Sequence, residues 1–587
     1  MELFANKNAL FCESEKDGTL TAKKKLYNAL FEVFFFVALF IVTLALFLII
    51  KPLHKVPEKD VNAGKYAHML MGVGILFALL IAVYCVMTNR LSRKNAILLL
   101  FAIGVIMRIG YMLYTPVITR QHDVFNKSNT GHEAYAWTIF ATGKLPQTND
   151  YQFYHPPLNA SIQALFMSFM HGFSSFLTEI FSLEADYFPS KYLQSYSSSK
   201  LPAGSEMRYY LFSTTQILAV LYSVVTLVYA LKLIKLFNFK GKTAVLISAI
   251  VVLFPRQIQF AGMVNNDPLS YMCSILALYF AVKWQKQGKK IWDILICAVF
   301  CGLGMMTKLA TATICLPIGG IFVYEFVIAL KSFISDLKGE EKLDVKKHIG
   351  LPLQFVGFLI ICAPLGLWFQ FYASAKFDQG FGFVFNNLNG LLKTDHHSLF
   401  QRLFITFDKN EYFGSLYCVC FSDKNYEYYN NYNLFLYQIR SSIFGEFSYW
   451  QSDGYGVLSL VFAVLAILAV FVGIVKCVIN YVGYKKNKNT IFFNSKIINY
   501  KDFLIIALLI ISQLIPEMIF YVKMPYACTM DFRYIMPVIC GLALVTGYVQ
   551  EILTADGTRF SAVLSKTISV LIILFLTAST FFYCACI

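Results

Sequence analysis

Charge is what this chain has least of. Only 14% of its 587 residues are Asp, Glu, Lys or Arg, against roughly 25% in soluble globular proteins. A chain of this length has room for several soluble domains, but the shortage of charge excludes such a string. Other things are missing too. No stripe of basic residues with interleaved aromatics stands on a soluble stretch, so the net charge of +16 does not point to nucleic acid. There is no internal repeat at a fixed period and no long low-complexity tract. No small-residue cleavage site follows the first apolar block, which therefore reads as a retained anchor and not as a signal peptide. The 14 cysteines form no metal-binding spacing. Most lie in apolar blocks, where a free thiol behaves as a small hydrophobe. Cys418 and Cys420 form a C-x-C pair, for which a local disulfide or redox role is the alternative.

What is present is apolar. Hydrophobic residues make up 57% of the chain, with a mean hydropathy of +0.59. They fall into blocks of about 20 residues, the length that crosses a bilayer as a helix. Thirteen spans are expected, near 28–50, 66–86, 97–115, 209–231, 243–260, 268–285, 291–306, 311–330, 351–375, 455–478, 502–521, 534–551 and 564–585. Backbone groups in lipid must pair within their own segment, so the fold class is an all-α polytopic membrane protein. The weakest spans are 291–306 and 311–330, where a break or tilt is expected. Lys and Arg orient the chain. With residues 1–27 as a cytoplasmic tail, the inner loops carry Lys23–Lys25, then Arg90, Arg93 and Lys94. Lys232 to Lys242, Lys286 to Lys290, Lys342 to Lys347 and Lys485 to Lys488 follow on the same side. The segment between the first two helices, with Lys51, Lys55, Lys59 and Lys65, is basic but falls outside. The inner lysines sit against an anionic lipid surface.

Two outer segments, about 116–208 and 376–452, are too long to be mere connections. Both are rich in Tyr, Phe and Trp, which argues against disorder. Residues 131–142 read as a short interfacial helix, with Tyr135, Ile139 and Phe140 on or near one face. Gly143 and then Pro146 stop it. The aromatic run 412–450 either stacks on sugar faces or forms an interfacial belt.

The chemistry-bearing residues sit in these outer segments and at the outer ends of helices. Arg120-Gln121-His122-Asp123 follows the third span, then His132-Glu133, then Tyr154-His155-Pro156-Pro157-Leu158. Phe254-Pro255-Arg256 leads into Asn265-Asn266-Asp267-Pro268-Leu269. Gly302-Leu303-Gly304-Met305-Met306-Thr307-Lys308 and Asp531-Phe532-Arg533-Tyr534-Ile535-Met536-Pro537 come later. The charge-based topology puts all of them on the outer side. Ionisable residues at membrane depth are functional candidates.

An Asp in the first long outer loop, a short helix ending in Gly-x-Leu-Pro and a following His-Pro-Pro-Leu resemble the GT-C superfamily of membrane glycosyltransferases. The likeness is to family 39, with its protein O-mannosyltransferases, and to aminoarabinose transferases. It covers roughly residues 97–551, the expected catalytic core. The helices in 28–96 and the last one, in 552–587, lie outside it. Two departures stand out. The family usually places its catalytic Asp after the first helix, here it follows the third, and His122-Asp123 replaces the Asp-Glu pair of many members.

The resemblance implies a polyprenyl-phosphate sugar as donor and a glycan, lipid or protein as acceptor, on the periplasmic, extracellular or lumenal face. In a bacterium that means the plasma membrane. Asp123 is the expected general base, acting with inversion at the anomeric carbon. A carboxylate suits this role once partial desolvation lifts its pKa above about 3.9. Arg533 and Lys308, with Arg256 and Lys523 in reserve, are expected at the donor phosphate, where a guanidinium forks onto two oxygens. Snorkelling to headgroups is the other reading of these cations. His122, Glu133, His155, Asp267 and Glu446 are candidates for positioning substrate. Asp267 equally reads as a helix cap, and Glu446 as a solvated acid. No cofactor is firmly implied. His122, His132 and His155 with Asp123 or Glu133 are acceptable ligand types for a divalent metal, but their spacing matches no metal signature. Two other classes stay open. One is a transporter or flippase of a lipid-linked sugar, which calls for polar residues inside spans and for broken helices. The other is a non-catalytic scaffold.

Overall fold

The computed structural model describes residues 22–53, a few positions between 72 and 84, and residues 92–117, 123–125, 128–193, 204–338, 345–383, 393–404, 432–445, 453–487 and 500–586. Within these the chain is helical. The longer helices are α1 (Ala22–Ile50), α2 (Arg93–Tyr114), α3 (His132–Thr142), α4 (Leu158–Ile180), α5 (Glu206–Thr214), α6 (Gln216–Lys235), α7 (Gly241–Leu253) and α8 (Asp267–Lys286). They continue with α9 (Ile291–Thr307), α10 (Cys315–Lys338), α11 (Val345–Phe377), α12 (Leu434–Phe444), α13 (Asp453–Asn487), α14 (Tyr500–Lys523), α15 (Val538–Asp556) and α16 (Arg559–Cys586).

Nine helices among the described residues are long and apolar enough to cross a membrane, or ten if a bent pair counts as one span. The expected thirteen differ from this for local reasons. The span 66–86 lies largely outside the described residues. The span 243–260 is broken: α7 ends at Leu253, Pro255 opens a new short helix, and the two axes differ by 45°. Pro255 has no backbone N–H for the preceding turn, so the break falls where proline puts it. The span 291–306 is an unbroken but shorter helix of 17 residues, and 268–285 forms the 20-residue α8, which is not apolar enough to count among the nine.

The chain forms two compact units. The first comprises Met1–Val228, Gln257–Leu269 and Tyr583–Ile587, and the second Tyr229–Arg256 and Ser270–Phe582. In the first unit α1 and α2 run parallel: Phe35 meets Phe101 near one end, and at the other Lys51 donates to the carbonyls of Met112 and Thr115 at 2.5 and 2.9 Å. Those carbonyls are among the four that a helix leaves unpaired at its C-terminus. Arg108, fully buried in the apolar run of α2, donates to Ser223 Oγ and Gly104 O, both at 2.9 Å, and to Gln257 Oε1 at 3.4 Å.

The segment 116–208 holds more structure than the sequence suggested. Its short helix is present as α3, closed by Gly143 in the left-handed region at φ 67°. The longer α4 follows His155-Pro156-Pro157. It exposes Leu165, Phe169, Phe176 and Ile180 and buries Asn159, Gln163, Met167 and Met170. Its outward face is apolar and its inward face mixes polar and apolar side chains, so no continuous apolar run marks it in the sequence.

In the second unit α9 and α11 approach closely because glycine lets them. A Cβ on Gly302 would meet Leu365 Cβ at 2.6 Å, and one on Gly366 would meet the Met305 sulfur at 2.9 Å. At one end of this unit the pairs Lys283–Asp293, Lys286–Asp502 and Lys289–Glu325, each at 2.6 Å, join α8, α9, α10 and α14. The candidate residues Lys308 and Arg533 lie toward the other end, since α9 runs from Asp293 in its first turn to Lys308 at its C-cap.

Candidate active site

In the first unit the site grows from the start of α3. His132 N–H donates to Asp123 O at 3.0 Å and Glu133 N–H to Val124 O at 3.1 Å. The first N–H groups of a helix have no partner within it, and here the strand-like turn 123–124 supplies the acceptors. Gly131, the N-cap, makes this possible, because a Cβ there would collide with the Val124 carbonyl. Val124 is buried and Phe125 stacks on Tyr209 at 4.6 Å. The turn is thus pinned, and it leaves the Asp123 side chain half-buried. Tyr151 O–H donates to Asp123 Oδ1 at 2.8 Å.

Glu133 faces inward. Arg208, on α5, forks onto both of its carboxylate oxygens and also donates to Asn129 Oδ1 at 2.6 Å. The guanidinium lies over the Trp137 ring. Burial pushes the Glu133 carboxyl above its ordinary value, and Arg208 pulls it part of the way back. Removing the cation leaves the upward push alone, so Arg208→Ala keeps Glu133 protonated to higher pH. Activity that needs the ionised Glu133 carboxylate is expected to fade from the acid side, and to do so at higher pH in the variant than in wild type. A pH–activity profile whose acid limb moves up in Arg208→Ala would bear this out, and an unmoved limb would count against it.

His155 is held through its backbone, with Tyr135 O–H donating to its carbonyl at 3.0 Å. Its ring lies nearly parallel to that of His132, at 6.0 Å. Just beyond it, Asn159 and Gln163 of α4 donate to the carbonyls of Val264 and Asn265, drawing the Asn265-Asn266-Asp267 turn onto the His-Pro-Pro-Leu segment. Asp267 is buried. Asn265 Oδ1 accepts from its N–H at 3.2 Å and Asn265 Nδ2 donates to its Oδ2 at 3.0 Å, so the side chain that serves the start of α8 is Asn265. The first unit therefore gathers Asp123, Glu133, His155 and Asp267. His122 lies outside the described residues, as do Glu446 and the pair Cys418 and Cys420.

The second unit gathers the cations. Asp531 is wholly buried, and its Oδ1 accepts from Arg256 Nη2 at 2.7 Å and from the backbone N–H of Arg533 at 2.7 Å. Ser441 Oγ on α12 accepts from the Phe532 N–H at 3.0 Å. These bonds fix the short 3₁₀ turn Phe532–Ile535 that presents Arg533. The Arg533 guanidinium lies 5.1 Å from the Tyr534 ring centre and the Lys308 ammonium 4.5 Å from it. Both side chains are half-buried. Lys308 is placed by the close of α9, where a Cβ on Gly304 would meet Thr311 Cγ2 at 2.5 Å. Lys523 ends α14 and is exposed. Glu517, buried on α14, feels the charges of Asp531, Lys308 and Arg533, and its Oε1 has no hydrogen-bond partner among the described residues.

Residues 211–340 match the family described as dolichyl-phosphate-mannose-protein mannosyltransferase. No curated protein and no solved structure matches the chain. The match bears out the resemblance to GT-C enzymes and supports a membrane glycosyltransferase of mannosyltransferase type. It spans Arg256, Asp267 and Lys308; Asp123 and Arg533 lie to either side of it.

Three residues of these clusters went unnoticed in the sequence. Glu517 had a signal, an acid after Pro516 inside an apolar block, where ionisable groups are rare. Arg208 had a fainter one, a cation just before a span, at the end where the charge rule expects few. Tyr151 had none, being one of 36 tyrosines.

Proposed function

We propose that this chain transfers a sugar from a polyprenyl-phosphate carrier to an acceptor on the outer face of the membrane, with inversion and with Asp123 as general base. The observation that carries the reading is the Asp123 turn: a half-buried carboxylate, oriented by Tyr151 and pinned to α3 through its own carbonyl. A base must be held still to take a proton in the transition state. In the first unit Glu133, His155 and Asp267 shape the surroundings of that base. In the second, Arg533 and Lys308 flank Tyr534 and supply the positive charge that a departing lipid phosphate needs. Arg256, engaged with Asp531, positions Arg533, and Lys523 is a secondary phosphate contact. The donor comes from the lipid phase; protein, lipid and glycan acceptors all remain compatible.

The test is reconstitution in liposomes with a panel of polyprenyl-phosphate sugars, following donor consumption and the anomeric configuration of the product. Wild type is expected to consume one donor with inversion. Arg533→Ala is expected to raise the donor KM roughly tenfold to a hundredfold, the worth of a charge-assisted hydrogen bond of about 1.5–3 kcal/mol. An intact donor that also fails to bind would sink the proposal, and retained configuration would sink the inverting mechanism.

A second reading draws on the bent pair Gly241–Leu253 and Pro255–Gly262 and on the ionisable Arg108 and Glu517 within spans. Broken helices and in-span charges are what movement of a lipid-linked sugar requires. The same liposomes separate the two, since translocation changes the leaflet of the donor and leaves its sugar attached.

A further inference from the structure

The second unit contains a cluster of thiols that the sugar-transfer reading does not use. Cys301 lies on α9, Cys315 opens α10 and Cys362 lies on α11, and their three sulfurs are all within 4.8 Å of one another. Cys297, one turn before Cys301 on the same face of α9, also touches the Cys301 thiol. No two of Cys301, Cys315 and Cys362 are neighbours in sequence; helix packing assembles them. Gly302 admits α11 so closely that a Cβ there would lie 3.2 Å from the Cys362 carbonyl, which brings the Cys362 backbone against the residue next to Cys301. Cys301 and Cys362 are buried, while Cys315 is partly open.

We propose that Cys301, Cys315 and Cys362 form a binding site for a thiophilic d10 cation, Zn(II) or Cu(I), with Cys297 available as a fourth ligand. Metal–sulfur bonds of about 2.3 Å set neighbouring sulfurs about 4 Å apart, so these thiols close on an ion with small side-chain adjustments. Soft thiolates select such ions over Mg(II) or Ca(II). Binding displaces protons from the thiols, and the thiolate charge offsets that of the cation in an apolar setting. The site is structural. Cys315 is the residue at which the 3₁₀ stretch Leu309–Ile314, which begins directly after Lys308, passes into α10. An ion held there ties the Lys308 turn to α9 and α11.

The full chain, purified in detergent under reducing conditions, would be loaded with Zn(II), or with Cu(I) against a competing chelator, and passed over a desalting column. About one ion per chain is expected to remain, and the arm that retains it identifies the metal. Co(II) in place of zinc is expected to give a sulfur-to-metal charge-transfer band. Cys301→Ala and Cys362→Ala should each weaken retention at least tenfold, while Cys540→Ala, on α15, should not. Bound metal should slow alkylation of Cys315 and leave that of Cys528 unchanged. Should the variants fail to fold, the wild-type spectrum and alkylation rates still decide. No retained ion in either arm, or a disulfide among the three cysteines in place of metal, would overturn the proposal.

Discussion

Asp123→Asn is expected to fold normally and to lose sugar transfer, with kcat falling by about 10²–10⁴-fold, the usual contribution of a positioned general base. The amide has nearly the shape of the carboxylate and can still accept from Tyr151 O–H through its oxygen. The contacts that pin the turn belong to the Asp123 backbone and to Val124 and Phe125, and the substitution leaves them alone. What it removes is the proton acceptor. Donor binding is therefore expected to survive, so the loss should appear in kcat and not in the donor KM. Tyr151→Phe supplies a graded control. It keeps the base and removes the bond that orients it, so it should reduce kcat by less. Full turnover in Asp123→Asn would move the base elsewhere, and Glu133 and Asp267 are the carboxylates of the first unit to test next.

The sequence and the structure agree where the signal is local or bulk. Charge scarcity and blocks of about 20 apolar residues were enough for an all-helical membrane protein. The residue that stops α3 was legible because Gly143 acts through its own left-handed backbone. Other features depend on what lies opposite in space. Arg256 reads in sequence as a reserve phosphate ligand, and its pairing with Asp531, 275 residues away, is visible only in the structure. Arg208 went unnoticed because nothing near it in sequence reveals Glu133, 75 residues away. Asp267 read as a cap, while the bond that caps α8 comes from Asn265, two residues earlier. The helix α4 escaped because its buried face carries Asn159, Gln163 and Ser174 among apolar residues, which interrupts any continuous apolar run. The cysteines read as small hydrophobes one by one, and only the packing of α9, α10 and α11 brings three of them together.

Arg256→Met is expected to destabilise the protein severely, by about 3–5 kcal/mol, the cost of stripping one partner from a buried ion pair. Arg256 and Asp531 are only 1% and 0% exposed. With Arg256 gone, the Asp531 carboxylate stays wholly buried without its paired cation. Its remaining bond from the Arg533 N–H does not offset a whole charge. The apparent melting temperature in detergent should fall accordingly, and donor affinity should fall with it, because the turn that presents Arg533 is built on Asp531. Adding Asp531→Asn to Arg256→Met removes the stranded charge and should recover part of the stability, which gives the coupling energy of the pair by a double-mutant cycle. The opposite pattern is equally readable. If Arg256→Met melts like wild type while the donor KM rises sharply, Arg256 touches the phosphate itself, and the brace must be sought in the Ser441 bond to Phe532.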